Sequence, residues 1–189
     1  MILKKLIYLS LYCFIAIFTQ TIYGIESLQG NKATHSKDFV INTDVLIKTS
    51  SGATLSAVIV LPKTMKKPQP TALQFHIYTD VKEHVKTAIN AAKHGYIGIV
   101  VDTRGKRLSP DQIIPYEHDA KDINDVIDWI SKQDFSDGRV AMYGGSYLGF
   151  TQWAATKYMH PALKTIVPSV ANNPMQGLPM ENNIFITPN

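Results

Sequence analysis

The chain has 189 residues, 45% of them hydrophobic, which is enough length for one domain with a buried core and too apolar a composition for intrinsic disorder. Its net charge of +4 comes from scattered lysines without an arginine-rich stripe, so no nucleic-acid partner is expected. The single cysteine, Cys13, rules out a fold built on disulfides.

The opening stretch MILKKLIYLSLYCFIAIFTQTIYG sets Lys4 and Lys5 before an apolar run at residues 6–18, broken only by Ser10, and ends on polar residues and Gly24. A basic head, a run short for a membrane span and a small exit residue form the pattern of a secretory signal peptide over residues 1–24. The expected location is periplasmic or extracellular. The alternative is an uncleaved segment that anchors the chain to a membrane at its N-terminus. Tyr12 is too large to precede Cys13 in a lipoprotein processing site. Residues 25–38 are polar and aperiodic, an exposed lead-in to a domain over residues 39–189.

Within that domain, FVINTDVLIKTSSGATLSAVIVLPK predicts two strands around the turn formers Ser50, Ser51 and Gly52. A basic, proline-bearing loop, KTMKKPQPT, leads to ALQFHIY, a buried-strand candidate. In VKEHVKTAINAAKHG the residues Val81, Val85, Ala88, Ile89 and Ala92 share one helical face, and Gly95 stands where a helix C-terminus favours a left-handed residue. YIGIVV is a further strand, stopped by the charged loop DTRGKRLSPDQ. Residues 119–132 form the clearest helix, because Ile123, Val126, Ile127 and Ile130 make an i, i+3, i+4, i+7 stripe. RVAMYG then reads as a strand, SYLGFTQWAATKYM as a helix and ALKTIVPS as a strand. Strands alternating with helices, with little polar alternation inside the strands, predict an α/β fold: a mostly parallel sheet with helices on both faces.

Ser146 in VAMYGGSYLGF stands between strand and helix. A nucleophilic serine at such an elbow occupies a sharp, strained turn and needs small neighbours. Gly144 and Gly145 supply them before the serine; after it, Leu148 replaces the usual glycine, and Gly149 comes one place later. The motif alone fits a nucleophile or a bystander serine in a glycine turn. Its placement after an apolar strand and at the start of an apolar helix favours the nucleophile, with the Tyr147 backbone N–H free to serve an oxyanion.

GGSYLGFTQWAA resembles the serine elbow of the family that contains cocaine esterase, X-Pro dipeptidyl-peptidase and α-amino-acid ester hydrolase, in which Gly-x-Ser-Tyr-x-Gly is the normal form. VVDTRGKRLS is similar to its Asp-x-Arg-Gly segment, EHDAKDINDVIDWISKQDFSDGRVAMYG to its approach to the elbow, and HPALKTIVPSVA to the strand that follows. The resemblance covers roughly residues 40–183 and implies the N-terminal portion of an α/β-hydrolase fold, cut after the strand that follows the nucleophile helix. It implies a serine hydrolase acting on a small ester or peptide through an acyl-enzyme, without a cofactor. By the same resemblance Ser146 is the nucleophile, and the Tyr147 N–H and the Tyr78 hydroxyl form the oxyanion hole. Ile77 stands where the family usually has proline; the alternative for Tyr78 is a strand-capping tyrosine with its hydroxyl in water.

The remaining candidates have simpler readings. Asp102 and Arg104 could touch substrate, but an ion pair fixing their loop is preferred. Trp129 and Trp153 read as core or interface aromatics, and His76 as a buried histidine near the site. No histidine pair has metal-ligand spacing, and Asp122, Asp125 and Asp128 read as a solvated helix face. The triad order in this fold is serine, then acid, then histidine. After Ser146 the chain has no aspartate, one glutamate (Glu181) and one histidine (His160) that precedes it. His160 falls a whole helix away from the serine, so the acid and base are absent from the sequence. A fragment of a longer hydrolase, a disrupted or noncatalytic remnant, and a binding module on a hydrolase scaffold all stay open.

Overall fold

A computed structural model of the protein describes residues 33–172, 180–181 and 184–185. The leader expected over residues 1–24 and most of the lead-in lie outside them. The end of that lead-in differs from expectation: β1 (Ala33–His35) pairs antiparallel with β2 (Phe39–Lys48), adding a strand to the sheet edge. β2 and β3 (Thr54–Pro62) form the expected hairpin, closed by the Thr49 N–H on the Ala53 carbonyl at 2.9 Å, with Gly52 at φ 89°. There follow β4 (Gln69–His76), α1 (Val81–Lys93), β5 (Ile97–Asp102), α2 (Asp119–Ser131), β6 (Ser136–Ser146), α3 (Tyr147–Ala155) and β7 (Leu163–Ala171). A separate two-stranded ladder joins β8 (Met180–Glu181) and β9 (Ile184–Phe185).

The main sheet runs β1-β2-β3-β5-β4-β6-β7. From β5 to β7 every pairing is parallel, while β1, β2 and β3 form an antiparallel flank that meets β5. This order places β4 between β5 and β6, so the crossover after β4 goes one way and the next returns across it. In parallel α/β sheets such a reversal opens a crevice beyond the carboxyl ends of the strands. Those ends are His76, Asp102 and Ser146.

Alternation along the central strands supplies a core on each side. Ala57, Ile59, Ile99 and Val101 face the side where α2 packs Ile123, Val126, Ile127 and Ile130, and where Ala155 of α3 joins them. Val58, Val60 and Val100 face the other, where α1 packs Ala88 and Ala92. The two apolar stripes read from the sequence thus make two of the helix-to-sheet contacts.

α1 approaches the sheet closely at Gly98 of β5, where an added Cβ would lie 2.1 Å from the Ala88 carbonyl oxygen. Gly98→Ala must therefore push the helix off the sheet, and overpacking of this kind costs about 1–3 kcal/mol. A fall in the urea midpoint of that order is expected; an unchanged midpoint would contradict the packing described.

Candidate active site

β6 runs into α3 without an intervening loop, so the last strand residue, Ser146, is also the helix N-cap. The turn forces Ser146 to φ 57° and ψ −122°, a conformation that costs a non-glycine residue about 1–3 kcal/mol. Glycine is required at two neighbouring positions for different reasons. Gly144 sits at φ 130°, and a Cβ on Gly149 would lie 2.8 Å from the Ala171 Cα. The second contact accounts for the displaced glycine: α3 touches β7 at residue 149, whereas Leu148 is not held to that spacing.

A serine at an N-cap ordinarily turns its hydroxyl onto the backbone N–H of the second or third helical residue. Ser146 makes no such bond. Its Oγ lies 3.2 Å from the Tyr78 hydroxyl and 3.5 Å from the Asn172 Oδ1, to which it donates. Tyr78 follows β4 and is 50% exposed, so its phenol bridges the crevice with one face open. The structure thus brings together Ser146, the N-terminal backbone of α3 at Tyr147, and Tyr78.

The Tyr147 side chain points the other way and fixes the elbow to α2. Its buried hydroxyl donates to the Asp119 carboxylate at 2.6 Å, and the Tyr116 N–H donates to both Asp119 (3.1 Å) and the Tyr147 hydroxyl (3.2 Å). Tyr116 holds φ 70°, and its ring packs at 5.0 Å from Tyr147 and 4.9 Å from Phe150. Burial pushes the Asp119 carboxyl above its usual range, with the Tyr147 hydroxyl opposing; burial and the Asp119 charge push the Tyr147 phenol up. On the strand side, Gln152 donates to the Gly144 carbonyl at 3.0 Å and accepts from the Val167 N–H at 2.8 Å, clamping β6 to β7.

Several sequence expectations are corrected. Asp102 and Arg104 do not pair with each other. Arg104 makes two 2.6 Å bonds to Asp122, and Asp102 accepts from Arg107 at 2.9 Å, so two separate ion pairs fix the loop. Asp122 is therefore buried against Arg104 rather than solvated, and Asp125 is bound to the Ser50 N–H and hydroxyl at 2.8 Å each. Asp128 does lie exposed. Trp129 packs on the core beside Phe135, but Trp153 is 57% exposed. His76 is buried next to Tyr78, with ring centroids 5.8 Å apart. His160 lies beyond the end of α3, with Nε2 3.7 Å from Asp128 and Nδ1 accepting from the Ala162 N–H at 3.1 Å. Among the described residues no cluster of three His, Cys, Asp or Glu side chains could hold a metal. Asn172, Asp119 and His84 were not singled out from the sequence. The first follows a strand, the second reads as an ordinary first-turn carboxylate, and the third stands outside the apolar stripe read for its helix.

The backbone strain at Ser146 has a direct measure. Glycine relieves it but gains freedom in the unfolded chain, so Ser146→Gly is expected to exceed Ser146→Ala in stability by about 1 kcal/mol. Equal urea midpoints for the two variants would remove the argument for strain.

Known proteins resemble this chain in sequence and in fold. The sequence model of the X-Pro dipeptidyl-peptidase (S15) family matches residues 51–188. Cocaine esterase of Rhodococcus sp. (strain MB1 Bresler) is 41% identical over 80 residues, covering 42% of this chain and 14% of that protein. An aminopeptidase from a marine sediment Thaumarchaeota archaeon superposes with a TM-score of 0.63 at 27% identity, over 75% of this chain and 27% of its own. An α-amino acid ester hydrolase superposes with a TM-score of 0.61 at 30% identity, over 76% and 27%. The chain thus spans about a quarter of the length of these solved relatives, and with them shares the α/β-hydrolase fold. On the extent of the sequence match and the strained serine elbow within it, the chain belongs to the X-Pro dipeptidyl-peptidase (S15) family of hydrolases.

Proposed function

We propose that the chain carries the nucleophile half of a serine hydrolase that cleaves peptide amide or ester bonds through an acyl-enzyme. Release of dipeptides from X-Pro N-termini is the favoured peptide variant, and small-ester hydrolysis is close behind. One observation carries this reading: Ser146 is held in a strained conformation at a helix N-terminus, with its hydroxyl left uncapped and aimed at a phenol. A bystander serine would relax or cap the helix. In the reaction Ser146 Oγ attacks the substrate carbonyl carbon, and the carbonyl oxygen takes the negative charge. The Tyr147 N–H and the Tyr78 hydroxyl donate to that oxygen, which is where fixed donors contribute most.

The serine proton must leave as the bond forms, and this requires a base within hydrogen-bond reach. Asn172 Oδ1 accepts the serine hydrogen bond, but an amide oxygen does not take up a proton near neutral pH. The proposed base and its acid partner therefore come from polypeptide outside the described residues, a reading supported by the small share of the relatives' length that this chain spans. We also propose export, on the strength of Lys4, Lys5 and the apolar run behind them.

A fluorophosphonate probe on the purified chain tests the nucleophile. Labelling at Ser146 is expected to be slow or undetectable, about 10²–10⁴ below that of a relative with its base in place, since general-base catalysis is worth that much. Addition of imidazole should raise it, and Ser146→Ala should abolish it; labelling that survives Ser146→Ala would remove the assignment. In an enzyme completed with base and acid, Tyr78→Phe is expected to lower kcat by about 10²–10³ with little change in KM, the loss seen for one oxyanion donor. An unchanged kcat would take Tyr78 out of the mechanism.

A further inference from the structure

The turn that presents Tyr78 runs from His76 to Asp80 without a proline, so no ring locks its backbone. Its ends are fixed: the Thr103 N–H donates to the His76 carbonyl at 3.0 Å, and Asp80 caps α1 through the Lys82 N–H at 2.9 Å. Between them Tyr78 is half exposed, and a single 3.2 Å contact between two hydroxyls does not hold a turn in place. The backbone of Tyr78 has a second tie. His84, in the first turn of α1 and 3% exposed, places its Nε2 3.0 Å from the Tyr78 carbonyl oxygen. A carbonyl oxygen only accepts, so Nε2 carries the hydrogen and donates it.

The other side of the ring is set against the sheet. His84 Nδ1 lies 3.7 Å from Asp102 Oδ1, beyond hydrogen-bond reach, and Asp102, fully buried, is held through its second oxygen by Arg107 at 2.9 Å. Arg107 in turn donates to the Thr43 and Ala57 carbonyls of β2 and β3. His76 stands edge-on to the His84 ring at 4.7 Å. Burial, and secondly the nearby His84, push His76 down to about 4, so at neutral pH it packs there as an uncharged ring.

We propose that His84, packed beside the buried Asp102, is a positioning residue that keeps the Tyr78 hydroxyl on Ser146, so that the oxyanion donor is aimed from the sheet core. The role rests on the reading of Tyr78 as that donor. His84 acts through Tyr78 and touches no substrate. A histidine that merely fills the core under the turn would leave the contact between Tyr78 and Ser146 intact when its N–H is lost but its volume is kept. This difference can be measured without turnover.

The experiment places 3-fluorotyrosine at residue 78 of the full chain and reads its 19F resonance with and without Ser146→Ala. In the parent chain Ser146→Ala shifts the resonance, because the hydroxyl partner is removed. In a His84→Leu background the shift on Ser146→Ala is lost and the line narrows; in His84→Gln, whose side-chain amide can still donate to the carbonyl, the shift is kept. A shift that survives in His84→Leu, or one lost to the same extent in His84→Gln, overturns the proposal. Should His84→Leu fail to give a dispersed amide spectrum, His84→Met, which also lacks a donor, replaces it, with loss of the shift expected and a retained one overturning the role. Labelling at Ser146 without this coupling overturns His84 and leaves the hydrolase reading. Coupling without any labelling in a completed enzyme overturns the hydrolase reading and leaves His84 only as the anchor of Tyr78.

Discussion

The direct passage of β6 into α3 is the constraint on which the site depends. With no loop to absorb the change of direction, one residue takes the whole turn, and Ser146 takes it at φ 57°. An L-residue keeps such a conformation only where its surroundings over-determine it. Three side chains do so here. Gln152 clamps the Gly144 carbonyl and the Val167 N–H, Thr151 donates to the Phe75 carbonyl at 2.8 Å, and the Tyr147 hydroxyl is bound to Asp119. The elbow is thereby fixed to β7, β4 and α2 at once, and its serine hydroxyl is exposed at the crevice rather than spent on the helix.

The same geometry divides the labour of Tyr147. Its backbone belongs to the helix N-terminus, where N–H groups lack intrahelical acceptors, and its side chain belongs to the packing between α2 and α3. A large aromatic residue after the serine thus serves as a bolt. The hydrogen bond to a buried, ionisable Asp119 makes that bolt directional, because the carboxylate also accepts from the Tyr116 N–H at the entrance to α2. Asp119 and Asp122, one turn of helix apart, have opposite partners. One holds the elbow and the other holds Arg104 of the loop after β5, so α2 braces both sides of the crevice.

What the sequence made legible follows from how local each signal is. The stripes Ile123, Val126, Ile127, Ile130 and Ala88, Ala92 are periodic within a single segment, and both helices lie where periodicity put them. Ser146 was visible because its turn needs glycines within a few positions. Asp122 and Asp125 of α2 were misread because their partners lie far away in the chain: Arg104 is 18 residues from Asp122, and Ser50 is 75 from Asp125. A charge on a helix looks solvated until the loop that covers it is placed. The pairing of β1 was illegible for the converse reason, since a three-residue strand carries too little pattern to outweigh polar composition.

The state of Ser146 follows from its two neighbours. Tyr78 and Asn172 hold the hydroxyl from either side, and neither a phenol O–H nor an amide oxygen is a general base, so on the proposed reading the serine is aimed but not activated. On the Tyr78 side the crevice is backed by the buried His76, His84 and Asp102. On the Asn172 side it opens over β7, where Val167 and Val170 are 60% and 85% exposed and no further strand pairs among the described residues. Ser146 is in register with Ala171 of β7, and the Asn172 N–H reaches the Ser146 carbonyl at 3.3 Å. On the proposed reading of Ser146, a base that reached its Oγ would have to replace Asn172 as the acceptor of the serine hydrogen bond.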